Sequence, residues 1–107
     1  MTAAQTKSYL DQYKIHMARA CRLKKDVEWF EASRESVQRE IDECIRKSNV
    51  IQGIIVSFED IRGREIMLRK YVYGQTIEKI AEELNYSSRH VQRMLNNATE
   101  KLGATIN

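Results

Sequence analysis

Apolar residues in the first half of the chain recur at alternating three- and four-residue steps, a helical period and not a strand period. Tyr13, Ala20, Val27, Ile41 and Ile55 share one heptad position, and Leu23, Phe30, Val37, Cys44, Ile51 and Phe58 share the other. The pattern runs from about Ala4 to Val56 with three misfits, His16, Arg34 and Ser48. Such a seam predicts long helices packed side by side. Two architectures satisfy it. One long helix can dimerise along the seam as a coiled coil, or the chain can turn back near Ala32–Ser36 into an antiparallel helical hairpin. The segment EASRES interrupts the apolar pattern and offers Ser33 or Ser36 as a fresh N-cap, which favours the hairpin. A turn there would set Leu23 near Asp42 or Ile41 and bring Cys21 near Cys44. Tyr9, Leu10, Met17, Trp29 and Ile45 widen the apolar stripe, so these helices are expected to meet more than one neighbour. Adjacent on a helix, Trp29 and Phe30 must face different partners.

The pattern changes after Val56. Asp60 or Glu59 can cap a helix from Ile61 to Tyr73, with Ile61, Ile66, Met67 or Leu68, Tyr71 and Val72 as its apolar face and Gly74 as its stop. Thr76 then caps a short helix, about Ile77 to Leu84, with Glu78 near its positive end. Asn85 sits where the chain must reverse and tolerates a left-handed conformation. Ser87 caps a last helix from Ser88 to about Leu102, with Gly103 as its natural C-cap. Ile80, Leu84, Tyr86, Val91, Leu95 and Leu102 face inward, and Ala81 lets the last two helices cross closely. The expected organisation is a helical region over 1–57 and a tri-helical helix-turn-helix domain over 58–107.

Composition agrees with an all-α chain: there is no Pro, only 4 Gly, and 31% of residues are charged. No run approaches the roughly 18 apolar residues of a membrane span. The start of the sequence lacks the apolar stretch of a signal peptide, so a cytoplasmic protein with no membrane partner is expected. Cys21, Cys44 and His16 have no neighbour at metal-ligand spacing and read as buried packing residues, with no metal or cofactor. No Gly-rich phosphate loop, no nucleophile beside a base and no carboxylate cluster points to an enzyme.

The net charge of +3 is modest, and basic and acidic residues nearly balance from Phe58 onward. Their distribution says more. Between Asn85 and Thr99 lie Arg89 and Arg93 with no acid, whereas Glu78, Glu82 and Glu83 occupy the preceding helix. Ser87, Ser88, Arg89, His90, Gln92, Arg93, Asn96 and Asn97 are left facing outward. Serines at a helix start suit phosphates. Arginine can fork to guanine, while Gln and Asn suit adenine. The candidate partner is double-stranded DNA, read by the last helix. The acidic helix is a candidate protein contact, and the seam predicts a homodimer or higher homo-oligomer through the N-terminal helices.

Residues 64–102, REIMLRKYVYGQTIEKIAEELNYSSRHVQRMLNNATEKL, resemble region 4 of the sigma-70-type factors of bacterial RNA polymerase. The matching elements are Lys70-Tyr71 with Gly74, Lys79-Ile80-Ala81 with Leu84, then Ser87, Val91, Ala98 and Lys101-Leu102. Lys79 replaces the usual acid and Asn85 the usual Gly. The chain lacks the parts with which a sigma factor grips core polymerase and melts a promoter. Its plan is similar to the small late-gene transcription regulators of Gram-positive phages and prophages, the ArpU/RinA type, on the segments YLDQYK, RKYVYGQT and NYSSRHVQRM. That resemblance implies binding to promoter or operator DNA and activation of phage structural, packaging or lysis genes, with RNA polymerase as a possible second partner. Small terminase-type packaging proteins, which also join a helix-turn-helix to oligomerising helices, are the remaining alternative.

Overall fold

The computed structural model describes residues 1–29 and 34–106. The chain is all-α: α1 (Ala3–Trp29), α2 (Arg34–Val56), α3 (Ile61–Met67), α4 (Ile77–Leu84) and α5 (Ser88–Thr105). The first two helices form the hairpin. Ala20 and Leu23 of α1 pack with Ile41 and Cys44 of α2, while Tyr13 Oη donates to Gln52 Oε1 at 3.5 Å and Arg19 pairs with Glu40 at 3.7 Å. Low residue numbers meet high ones throughout, which is the antiparallel register. A continuous helix is thereby ruled out, and the apolar seam that a long-helix dimer would have used is closed within one chain. The expectations placed on Val27, Trp29 and Phe30, and on Ser33 as a cap, lie outside the described residues and side chains, whereas Ser36 is not a cap: α2 has already begun at Arg34 and Ser36 lies within it.

Ser48 interrupts the heptad pattern without interrupting the packing. It is fully buried, and its hydroxyl donates to the Cys44 carbonyl one turn back at 3.0 Å, so no polar atom is stranded. Thr6 and Thr99 are satisfied in the same way by Thr2 and Leu95. Cys44 is buried as expected, but Cys21 is exposed, because its neighbour Ala20 takes the inward position. The start of α1 carries a reciprocal cap: Thr2 Oγ1 accepts from the Gln5 amide and Gln5 Oε1 accepts from the Thr2 amide.

The larger core is shared by every helix. Leu10 of α1 and Ile51 and Ile55 of α2 join Ile66, Met67, Tyr71, Ile80, Ala81, Val91, Leu95, Ala98 and Leu102 in one buried cluster. The turn at Ser57–Asp60 marks a change of direction, but the core runs straight across it. Asp60 accepts from the Arg62 amide as N-cap of α3, and Arg64 Nε donates to the Phe58 carbonyl to hold the connection. Ile61 was expected inward and is instead 71% exposed, since it lies on the rim of α3 while Gly63, Ile66 and Met67 fill the inner face.

After Met67 the helix widens into a π-helical turn, Leu68–Val72, in which the Tyr73 amide donates to the Leu68 carbonyl. Gly74 stops it at φ 72°, a left-handed conformation that glycine adopts without cost, and the Gln75 amide closes back onto Arg69 O at 2.9 Å. The widened turn drives Tyr71 into the core. Burial, reinforced by the Asp11 carboxylate, pushes its phenol up to about 12. The folded chain therefore holds this proton more tightly than the unfolded chain, where tyrosine titrates near pH 10. The linked stability is intact below pH 10 and is lost as pH rises from 10 to 12, by about 2–3 kcal/mol. Denaturant midpoints measured across that window should fall, and Tyr71→Phe should flatten the fall. An equal fall in the variant would assign the alkaline limit to other groups.

The C-terminal end departs from expectation. Gly103 is not a cap: α5 continues through it to Thr105, and Gly103 is buried against the start of α1. A Cβ there would collide with Thr6 Oγ1 and come within 3.0 Å of the Met1 carbonyl. Glycine at 103 is what lets α1 lie directly against α5.

Candidate nucleic-acid interface

The two helices α4 and α5 are held by caps at both ends of a short turn. Thr76 Oγ1 accepts from the Lys79 amide at 3.1 Å, and Ser87 Oγ accepts from the His90 amide at 3.1 Å. Between them Asn85 is left-handed (φ 60°, ψ 39°), and the Tyr86 amide donates back to Ala81 O. Ile80 and Val91 are fully buried where the helices meet, and Ala81 is the small residue at the crossing. The geometry is a helix-turn-helix with α5 as the outer, second helix.

An ionic knot ties α4 to the preceding π turn. Arg69 donates to Glu65 and to Glu83, and Gln75 Nε2 donates to Glu83 Oε2 at 3.3 Å. Partial desolvation raises the Glu83 carboxyl, but Arg69, Lys79 and Gln75 together outweigh it and hold it below the usual carboxylate range. Glu83 is thus committed to the fold. Glu78 and Glu82 of the same helix are exposed and have no cationic partner among the described residues.

All eight residues assigned to DNA from the sequence are exposed: Ser87, Ser88, Arg89, His90, Gln92, Arg93, Asn96 and Asn97. Their states differ. Arg89, Arg93 and Asn96 fall at i, i+4 and i+7, one row along the outer face of α5. Neither arginine is paired with a carboxylate among the described residues, so both guanidinium forks are available. Glu100, one turn beyond Asn96 and exposed, ends the cationic row. Ser87 Oγ uses one lone pair on the cap and keeps its O–H to donate and a second lone pair to accept. His90 lies edge-on to Tyr86, with ring centroids 4.9 Å apart, and the Arg62 guanidinium covers the same tyrosine at 5.5 Å. Gln92 Nε2 and Lys7 Nζ both donate to Asn96 Oδ1, at 3.0 and 2.6 Å.

Lys7 and Arg62 are the cations that reading the sequence missed. Arg62 is placed by α3, and its stacking on Tyr86 has no local signature. Lys7 is separated from Asn96 by 89 positions, and only the close approach of α1 to α5 at Gly103 brings them together.

Among the described residues no helix is long and apolar enough to cross a membrane. No curated protein and no solved structure matches the chain. A family model described as "Protein of unknown function (DUF1492)" matches residues 16–103, which takes in most of the hairpin and all of the helix-turn-helix but the last two residues of α5. The chain therefore belongs to the DUF1492 family.

Proposed function

We propose that the protein is a sequence-specific double-stranded DNA-binding regulator of transcription that reads promoter or operator DNA with α5. One observation carries the proposal: Arg89 and Arg93, neither paired with a carboxylate among the described residues, stand in a row on the exposed face of the second helix of a helix-turn-helix. A second helix so placed enters the major groove with its N-terminal residues toward base edges. The resemblance of residues 64–102 to sigma-70 region 4 supports the same reading, and the similarity in plan to late-gene regulators of phages makes promoters of structural, packaging or lysis genes the natural target.

The test is selection of bound duplexes from a random-sequence pool by the full chain, followed by gel-shift titration of the enriched motif. One enriched motif supports the proposal, and uniform recovery of all sequences would refute sequence-specific reading. Two half-sites about one helical turn apart would report a dimer and a single site a monomer. A contact with RNA polymerase is the second reading, favoured by Glu78 and Glu82 on α4, which are exposed and have no cationic partner among the described residues. A polymerase pull-down with Glu78→Gln/Glu82→Gln as control separates it from DNA binding.

A further inference from the structure

Asn96 is chemically constrained in a way that its sequence position does not reveal. Its Oδ1 faces the Lys7 ammonium at 2.6 Å. An ammonium only donates, so the Asn96 atom opposite it must be the carbonyl oxygen and not the amide nitrogen. The same logic orients Gln92, which must present Nε2 to that oxygen, at 3.0 Å. An amide oxygen has two lone pairs, and here both are taken. What Asn96 keeps for an outside partner is its N–H pair: two donors and no acceptor.

Adenine presents an acceptor (N7) and a donor (N6) in the major groove, so the bidentate Asn–adenine pairing needs a free Oδ1. Guanine N7 and O6, and thymine O4, only accept. The expectation that this asparagine suits adenine therefore reverses. Lys7 can impose that reversal because its backbone is pinned. Thr6 beside it is buried against Gly103, and the Thr2–Gln5 cap fixes the first turn of α1.

Resting on the DNA-binding reading above, we propose that Lys7 is a specificity-determining positioning residue. It holds Asn96 as a donor-only group, which removes the two-point pairing with adenine, so that guanine or thymine is favoured over adenine opposite Asn96. The hairpin thereby takes part in reading sequence, through a residue that itself touches no base.

Selections from a random duplex pool by the full-length wild type, Lys7→Met, Lys7→Arg and Asn96→Ala test this. Asn96→Ala should erase base preference at one position of the motif, which identifies the base opposite Asn96. At that position the wild type should disfavour adenine by about tenfold, a typical value for one good base contact. Lys7→Met frees one lone pair of Oδ1 and should admit adenine there. Lys7→Arg, which still donates, should keep the wild-type preference. Lys7→Met added to Asn96→Ala should change nothing further at that position. The proposal is overturned if Lys7→Met leaves every base preference intact and only lowers the salt dependence, by about one phosphate's worth, as a backbone contact would. Enrichment of adenine opposite Asn96 by the wild type also overturns it. If the wild type enriches no motif, the DNA-binding reading fails as well. A wild-type motif that Lys7→Met preserves sinks only the role of Lys7.

Discussion

Leu10→Ala is expected to destabilise the whole chain by about 2–5 kcal/mol, the usual cost of emptying a closed leucine site. For a domain of this size each kcal/mol lowers the melting temperature by about 4–8 °C, so the loss should exceed 8 °C. Leu10 is 0% exposed and belongs to the same cluster as Ile80, Val91 and Leu95, although it lies on the first helix. The informative measurement is amide hydrogen exchange. Protection should fall in α4 and α5 as much as in α1, because all three share one core. Protection lost from the hairpin alone, with residues 77–105 unchanged, would show two independent units. The same reasoning makes a fragment of residues 58–107 a poor candidate for autonomous folding. It lacks Leu10, Ile51 and Ile55, and at about 50 residues a chain has little core to spare.

The C-terminal half was legible because its boundaries are set by local chemistry. Asp60, Thr76 and Ser87 each cap the helix that follows, and each is a short polar side chain just ahead of an apolar period. Gly74 and Asn85 are the two positive-φ residues of the described chain, and both are types that tolerate it. The hairpin was legible in kind but left two alternatives, since an amphipathic seam is satisfied equally by a second copy or by the chain's own return. EASRES tipped the choice correctly. What decides between them energetically is the effective concentration of a covalently attached neighbour, which no heptad pattern displays.

What stayed hidden depends on distant parts of the chain meeting. Gly103 near a C-terminus reads as a helix stop, and only the presence of Thr6 and Met1 beside it reveals a close approach. Lys7 reads as one more solvated lysine until Asn96 is placed against it. Ser48 reads as a flaw in the seam, yet a serine that returns its hydroxyl to its own helix is compatible with burial. Ile61 was misassigned because it opens α3 five residues ahead of Ile66, well over 90° around the helix from the face that Ile66 and Met67 fill, so its apolar type and not its position suggested burial. The eight residues assigned to DNA from the sequence are all exposed, while the bonding state that limits what each could recognise came only from three-dimensional neighbours.

Arg89→Ala and Arg93→Ala carry the largest expected effect on function. A bidentate arginine–guanine contact is worth about 1–3 kcal/mol of discrimination, so each substitution should weaken binding to the selected motif roughly five- to 150-fold. Binding to unrelated duplex should weaken much less, since that affinity rests on phosphate contacts alone. Arg89, nearer the start of α5, should read base edges and is expected to relax the motif at one position when removed. The contrast between specific and non-specific affinity is the decisive readout. If both fall equally for Arg89→Ala, with the salt slope reduced by about one phosphate, Arg89 only touches the backbone. The two sites are four residues apart on one face, so their effects should be measured singly and together. Additive losses on the motif would mean two bases read separately. A double variant no weaker than the stronger single would mean one guanine shared between two forks, and the row on α5 would then hold a single reader with a neighbour that steadies it.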